Sequence, residues 1–122
     1  MSEARLAAER RGRVAEALCV LSLRLRGWRI VERRLSGGRG TRAGEIDIIA
    51  RRGNTIAFIE VKARRTIDSA LESVTASQRA RIARAAEIFI ARRAEAAGCD
   101  IRFDVMTVSG LLPVHLADAW RP

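Results

Sequence analysis

An α/β fold, one sheet sandwiched between two long helices, is what this sequence predicts. Three observations carry the prediction. Two stretches of helical length, 3–26 and 76–97, repeat apolar residues every three or four positions. β-Branched and alternating runs of strand length lie between and after them. Glycine marks the joints. The order is helix, three strands, helix, then one or two strands, which makes an α/β or α+β sandwich. The last strand–helix–strand crossover should be parallel and right-handed.

Each element has its own reason. In the first helix Val14, Leu18, Leu21 and Leu25 fall at i, i+4, i+7 and i+11, one stripe expected to be buried. Cys19, Val20 and Leu23 widen it, while Arg5, Arg10, Arg11 and Arg13 make the first half solvated and basic. Gly27 stops the helix. Residues 28–35 suit a strand with Trp28, Ile30 and Leu35 inward. A glycine-rich loop, 36–44, carries Arg39 and Arg42. Strands at 45–50 and 55–63 flank a turn centred on Gly53-Asn54 and read as a hairpin. Residues 64–75 read as a linker. The second long helix buries Ile82, Ala86, Phe89, Ile90 and Ala94 and stops at Gly98. Residues 101–108 alternate as a strand, and 114–116 form a short last one. The chain of 122 residues reads as a single domain, 1–122, without repeats.

Composition narrows the function. The chain has 23 cationic and 14 anionic side chains, a formal charge of +9. That balance favours a polyanionic partner. No apolar run approaches the ~20 residues of a membrane span, and the first residues lack the core of a signal peptide. A cytoplasmic protein without a membrane role is the expectation. Cys19 and Cys99 have no metal-binding spacing, which excludes a zinc knuckle and a disulfide scaffold. No glycine-rich nucleotide loop is present. Lys62 is the only lysine; the other cations are arginine. A compact amine whose pKa can be tuned is kept where a guanidinium would not serve.

Polar residues inside apolar strands are the informative ones. Glu60 and Lys62 interrupt Ile56–Ala63 two positions apart, so they share a face, with Val61 between them turned into packing. Asp47 interrupts the preceding strand and comes near Glu60 across the hairpin. Two carboxylates and a lysine on one patch suit a divalent cation, which relieves their repulsion. Magnesium takes a few carboxylate oxygens and sits against phosphate. A neighbouring lysine can activate water or stabilise charge developing on phosphorus. The plainer alternative is an exposed ion-pair ladder. The lone lysine and the second acid, Asp47, tip the balance toward phosphodiester hydrolysis.

These residues carry a resemblance. Gly44-Glu-Ile-Asp47 followed by Phe58-Ile-Glu60-Val-Lys62 resembles the active-site signature of the PD-(D/E)XK nucleases. With Gly12-x3-Glu16, Gly27-Trp28, Ala63-Arg64 and Arg102-Phe-Asp-Val105, the chain is similar to the YraN-like family, itself similar to archaeal Holliday-junction resolvases. The resemblance implies a restriction-endonuclease-like αβββαβ core, a mixed central sheet flanked by two long helices. It implies Mg2+ or Mn2+ on Asp47 and Glu60, with the Val61 carbonyl as a third ligand and Glu16 as an outer ligand or water-holder. Lys62 would position or activate the nucleophile. For Glu16 the alternative is a charge paired with Arg13 or Arg24. Gln78 stands near the start of the second long helix, where related nucleases place a polar residue that touches the site. Asp104 reads as a partner of Arg102, and the lone His115 as a surface or packing residue.

Arg39, Arg42, Arg64 and Arg65 flank this patch, and Arg79, Arg81 and Arg84 extend the charge along the second long helix. Arg92 and Arg93 read as a solvated face. Such cations hold a phosphate backbone without reading sequence. Aromatic residues are few, so base stacking is not the expected mode. Two functions follow from different classes. One is a metal-dependent DNA endonuclease acting on branched or structured DNA, with a homodimer where two strands are cut. The other is a non-catalytic nucleic-acid-binding or scaffold module on the same fold.

Overall fold

The protein is described here by a computed structural model covering residues 2–35 and 46–122; the predicted loop at 36–44, with Arg39 and Arg42, lies outside the described residues. The first helix, α1 (Glu3–Leu25), starts where the Ser2 hydroxyl accepts the Arg5 N–H at 3.1 Å. It ends in paired backbone bonds, Trp28 N–H to Leu23 C=O and Gly27 N–H to Arg24 C=O. That closure needs the left-handed φ of +88° that Gly27 supplies.

Strands β1 (Arg29–Leu35), β2 (Ile46–Arg52) and β3 (Thr55–Lys62) follow, then α2 (Ile67–Glu72), α3 (Ala76–Ala91), a single 3-10 turn (Ala94–Ala96), β4 (Asp100–Ser109) and β5 (Leu112–Trp120). The strands form one sheet in sequence order. β3 and β4 are parallel, as the crossover between them demands, and β1–β2, β2–β3 and β4–β5 are antiparallel. This mixed sheet with helices on both sides is the restriction-endonuclease-like α/β core that the resemblance implies.

The hairpin turn does more than join β2 to β3. The Asn54 carbonyl accepts the Asp100 N–H at 2.8 Å, and the Asn54 amide nitrogen reaches the Gly98 carbonyl at 3.3 Å. The same turn therefore sets the start of β4 against Thr55. Gly53 provides the left-handed turn position, with φ +59°.

Each sheet face carries its own core. On one, α1 packs Ala15, Cys19, Val20 and Leu23 on Ile48, Ile59 and Met106. On the other, α2 and α3 cover Ile49, Phe58, Phe103 and Val105. Phe58 is closed in by the Phe89 and Phe103 rings, 5.9 and 5.7 Å away between centroids. Truncating such a residue to alanine costs about 3–5 kcal/mol.

Several sequence expectations need correction. The stripe Val14, Leu21 and Leu25 is exposed, and the buried face of α1 is Ala15, Glu16, Cys19, Val20 and Leu23. The spacing was right, but α1 is apolar on two sides, and the side with small residues packs more closely on the sheet. The 64–75 linker contains α2, capped by the Thr66 hydroxyl on the Ser69 N–H. The second long helix ends at Ala91, not 97. Past it, Arg93 turns back over the Phe89 ring at 4.6 Å and pairs with Glu32 at 3.4 Å, so it is not merely solvated. Finally, β5 runs nine residues instead of three. In β1 the register shifts between Ile30 and Glu32, and Ile30 packs on the α1 side while Leu35, an odd number of residues away, packs on the α3 side.

Candidate functional site

The hairpin register puts the three signature residues at one end of the sheet. Ladder pairs run from Arg52↔Thr55 to Ile48↔Ile59. One more step along β2 reaches Asp47, level with Glu60. There the side chain takes over from the backbone, and the Asp47 Oδ2 accepts the Val61 N–H at 2.8 Å. Asp47 is thus fixed to the middle residue of Glu60-Val61-Lys62. Val61 packs into the α1-side core while Glu60 and Lys62 take the opposite face of β3. Glu60 is buried, 8% exposed. Lys62 is half-buried and makes no ion pair with a described residue.

Directly after Lys62 the chain is pinned to β4. The Thr107 hydroxyl accepts the Arg64 N–H and donates to the Arg64 carbonyl, both at 3.0 Å. Thr107 is 1% exposed. Sequence reasoning passed over it, although a hydroxyl inside the apolar run of β4 was a readable signal. Arg64 and Arg65 stand exposed beside the site.

Glu16 lies 7% exposed on α1. Its partners are Arg33 and Arg34 on β1, not Arg13 or Arg24. Arg33 contacts Oε1 at 3.0 Å and Arg34 contacts Oε2 at 3.2 Å. Arg34 adopts φ +55°, a left-handed turn of the strand that lets neighbouring residues reach one carboxylate. Nothing in the local sequence announces that turn. Cys19 is buried between these acids. Burial first, then the Asp47 and Glu16 charges, push its thiol up to about 12, so it is inert at neutral pH.

The remaining candidates are spread out. Gln78 is half-buried in the first turn of α3, where its N–H is capped by the Thr75 hydroxyl at 3.1 Å. Arg79 folds inward. Its Nε donates to the Val74 carbonyl at 3.1 Å, and the guanidinium lies 5.7 Å from the Trp120 ring centre. Among the described residues, no group of three or more His, Cys, Asp or Glu side chains is placed to hold a metal ion. The donor set that remains is two carboxylates, Asp47 and Glu60, beside the Val61 backbone. That is enough for a cation such as magnesium, which keeps its own waters and binds through one or two carboxylates.

A second polar cluster lies on the α1 side of the sheet. Asp104 is fully buried. Arg102 grips it with two bonds of 2.9 and 2.8 Å, His115 Nε2 lies 2.6 Å from Oδ2, and the Asp118 N–H donates to Oδ1 at 2.9 Å. Burial alone would push the Asp104 carboxyl up, but the His115 and Arg102 hydrogen bonds outweigh it and hold it below the usual carboxylate range. His115 Nδ1 is 2.9 Å from the Arg26 guanidinium at the end of α1. The pairing of Asp104 with Arg102 is as expected. His115 is a buried bridge, not a surface residue.

Comparison with known proteins agrees with the motif. The family model for the uncharacterised protein family UPF0102 matches residues 15–108. A UPF0102 protein of Paramagnetospirillum magneticum is 54% identical over 98% of this chain and 94% of its own length. One from Parvibaculum lavamentivorans is 50% identical over 96% of this chain and 86% of its own. One from Methylocella silvestris is 48% identical over 94% and 90%.

Proposed function

The chain belongs to the UPF0102 (YraN-like) family, within the restriction-endonuclease-like superfamily, and we propose that it is a metal-dependent DNA endonuclease acting on branched or structured DNA. The observation that supports this most is the 2.8 Å bond from the Val61 N–H to Asp47, which holds one carboxylate beside Glu60 and Lys62. Asp47 and Glu60 would hold Mg2+ or Mn2+, which when bound supplies charge neutralisation and a more acidic water. Asp47 is aimed by a backbone donor. Glu60 adds the second carboxylate. Lys62, on the same face of β3 as Glu60, is placed to hold the attacking water or the developing charge on phosphorus. Arg64 and Arg65 would seat the phosphate backbone.

Calorimetry with magnesium and manganese tests this reading, run on wild type, Asp47→Ala and Glu60→Ala. A branched-DNA cleavage assay on the same samples completes it. The expected result is binding and cleavage lost in both variants, and cleavage lost in Lys62→Arg with metal binding kept. No binding at millimolar metal would overturn the enzyme. A binding module on the same fold is the second reading. It is favoured by one observation, the lack of a three-ligand cluster among the described residues.

A further inference from the structure

A groove of about 830 Å³ lies on the α1 side of the sheet, between α1 and the segment that follows Lys62. Its walls are arginines, Arg10 and Arg11 from α1 on one side and Arg64 and Arg65 on the other. All four are exposed. None makes an ion pair with a described residue, whereas Arg33, Arg34, Arg93 and Arg102 are all matched to carboxylates. Among the described residues, no acidic one lines the groove. Its floor is apolar, formed by Val14, Ala15, Ala63 and Val108, and Val14 is 53% exposed there.

Four unmatched guanidinium groups over an apolar floor call for a ligand with regularly spaced negative charge and a less polar side. We propose that this groove takes a single strand of nucleic acid, threading the unpaired arm of a branched substrate away from Lys62. Phosphates lie on the two arginine walls, and sugar edges lie on the valine and alanine floor. A duplex is convex and stiff over about 150 base pairs, so it can only lie across the mouth. A flexible strand can enter. The lining has no aromatic residue, so bases are not stacked and sequence is not read. The register fixes the direction, because Arg64 follows Lys62 by two residues and is pinned by Thr107. This inference deepens the nuclease reading and rests on it for its biological sense, but the binding it asserts needs no cleavage.

The test is fluorescence anisotropy with a labelled oligo-dT strand and with a blunt hairpin duplex, across a salt series. Wild type, Arg10→Ala/Arg11→Ala, Arg10→Lys/Arg11→Lys and Arg92→Ala are compared. Arg10 and Arg11 are exposed in mid-helix, and circular dichroism checks that α1 is retained. Four phosphate contacts predict a log–log salt slope of about −2.8 for the single strand, falling to about −1.4 in the double alanine variant. The lysine variant should keep most of the slope, and Arg92→Ala, an exposed arginine outside the groove, should leave it unchanged. Duplex affinity should change far less than single-strand affinity in the alanine variant. An unaltered single-strand slope in the alanine variant would overturn the groove assignment. Equal losses for strand and duplex would overturn its preference for an unpaired arm. Magnesium calorimetry on the same variants separates the two readings. No strand binding by the wild-type protein, with intact metal binding at Asp47 and Glu60, sinks the groove alone. Intact strand binding without any metal binding sinks the nuclease alone.

Discussion

Two acidic clusters share this sheet, and they are built to opposite plans. Asp104 is sealed, with Arg102, His115 and the Asp118 N–H all donating to it and its side chain wholly buried. Asp47 is half-buried, and its one partner among the described residues is the Val61 N–H. The nearby Lys62 has no described counter-ion. A carboxylate whose acceptor sites are filled from within contributes to folding and has nothing left for a ligand. One held by a single backbone donor keeps lone pairs for something outside. That contrast, more than the presence of acids, separates the structural cluster from the candidate site.

The contrast can be broken by mutation. Removing Asp104 leaves the buried His115 and the partly buried Arg102 without their anion, and Asp104→Ala should cost about 3–5 kcal/mol in urea unfolding. If the loss were below about 1 kcal/mol, the cluster would not be the structural anchor described. At the other site the large effect should fall on rate. Lys62→Arg should lower cleavage at least about 100-fold while unfolding stability stays within about 0.5 kcal/mol of wild type. A matched loss of stability would place Lys62 with the structural residues. Asp47→Ala should cost only about 1 kcal/mol, one unmet N–H near the surface, yet abolish magnesium binding. The smallest effect is the shape of the acid limb. The Asp104 carboxyl is held below its unfolded value near 3.9. Its contribution is therefore present above about pH 4 and lost as pH falls through the folded-state pKa. The stability gap between wild type and Asp104→Asn should narrow below pH 4, read by thermal melts from pH 7 to 2.

Much of this was legible in the chain. Asp47, Glu60 and Lys62 stand out because β-branched strands rarely carry charge, and a short turn left only one way to align them. The parallel β3–β4 pair followed from the helix between them. What was hidden depended on phase or partner. α1 has apolar residues on two sides, so periodicity gave a stripe without saying which side packs. At six residues, α2 is too short to show a period. The end of α3 is set by Arg93 reaching Glu32, a residue 61 positions away. His115 looked solitary because its partners, Asp104 and Arg26, meet it only through the β4–β5 register and the packing of α1.

The Asn54 turn has a consequence for how the chain tolerates change in length. Asn54 joins the β2–β3 hairpin to the first residue of β4, so two ladders are counted from one point. Five strand steps later, about 17 Å away, that count decides whether Asp47 meets the Val61 N–H. One residue added at Gly53 would leave every signature side chain in the sequence and turn half of them to the wrong face. The spacing between the two acids is therefore a ruler whose zero mark lies at the far end of the sheet, and insertions should be confined to the other joints.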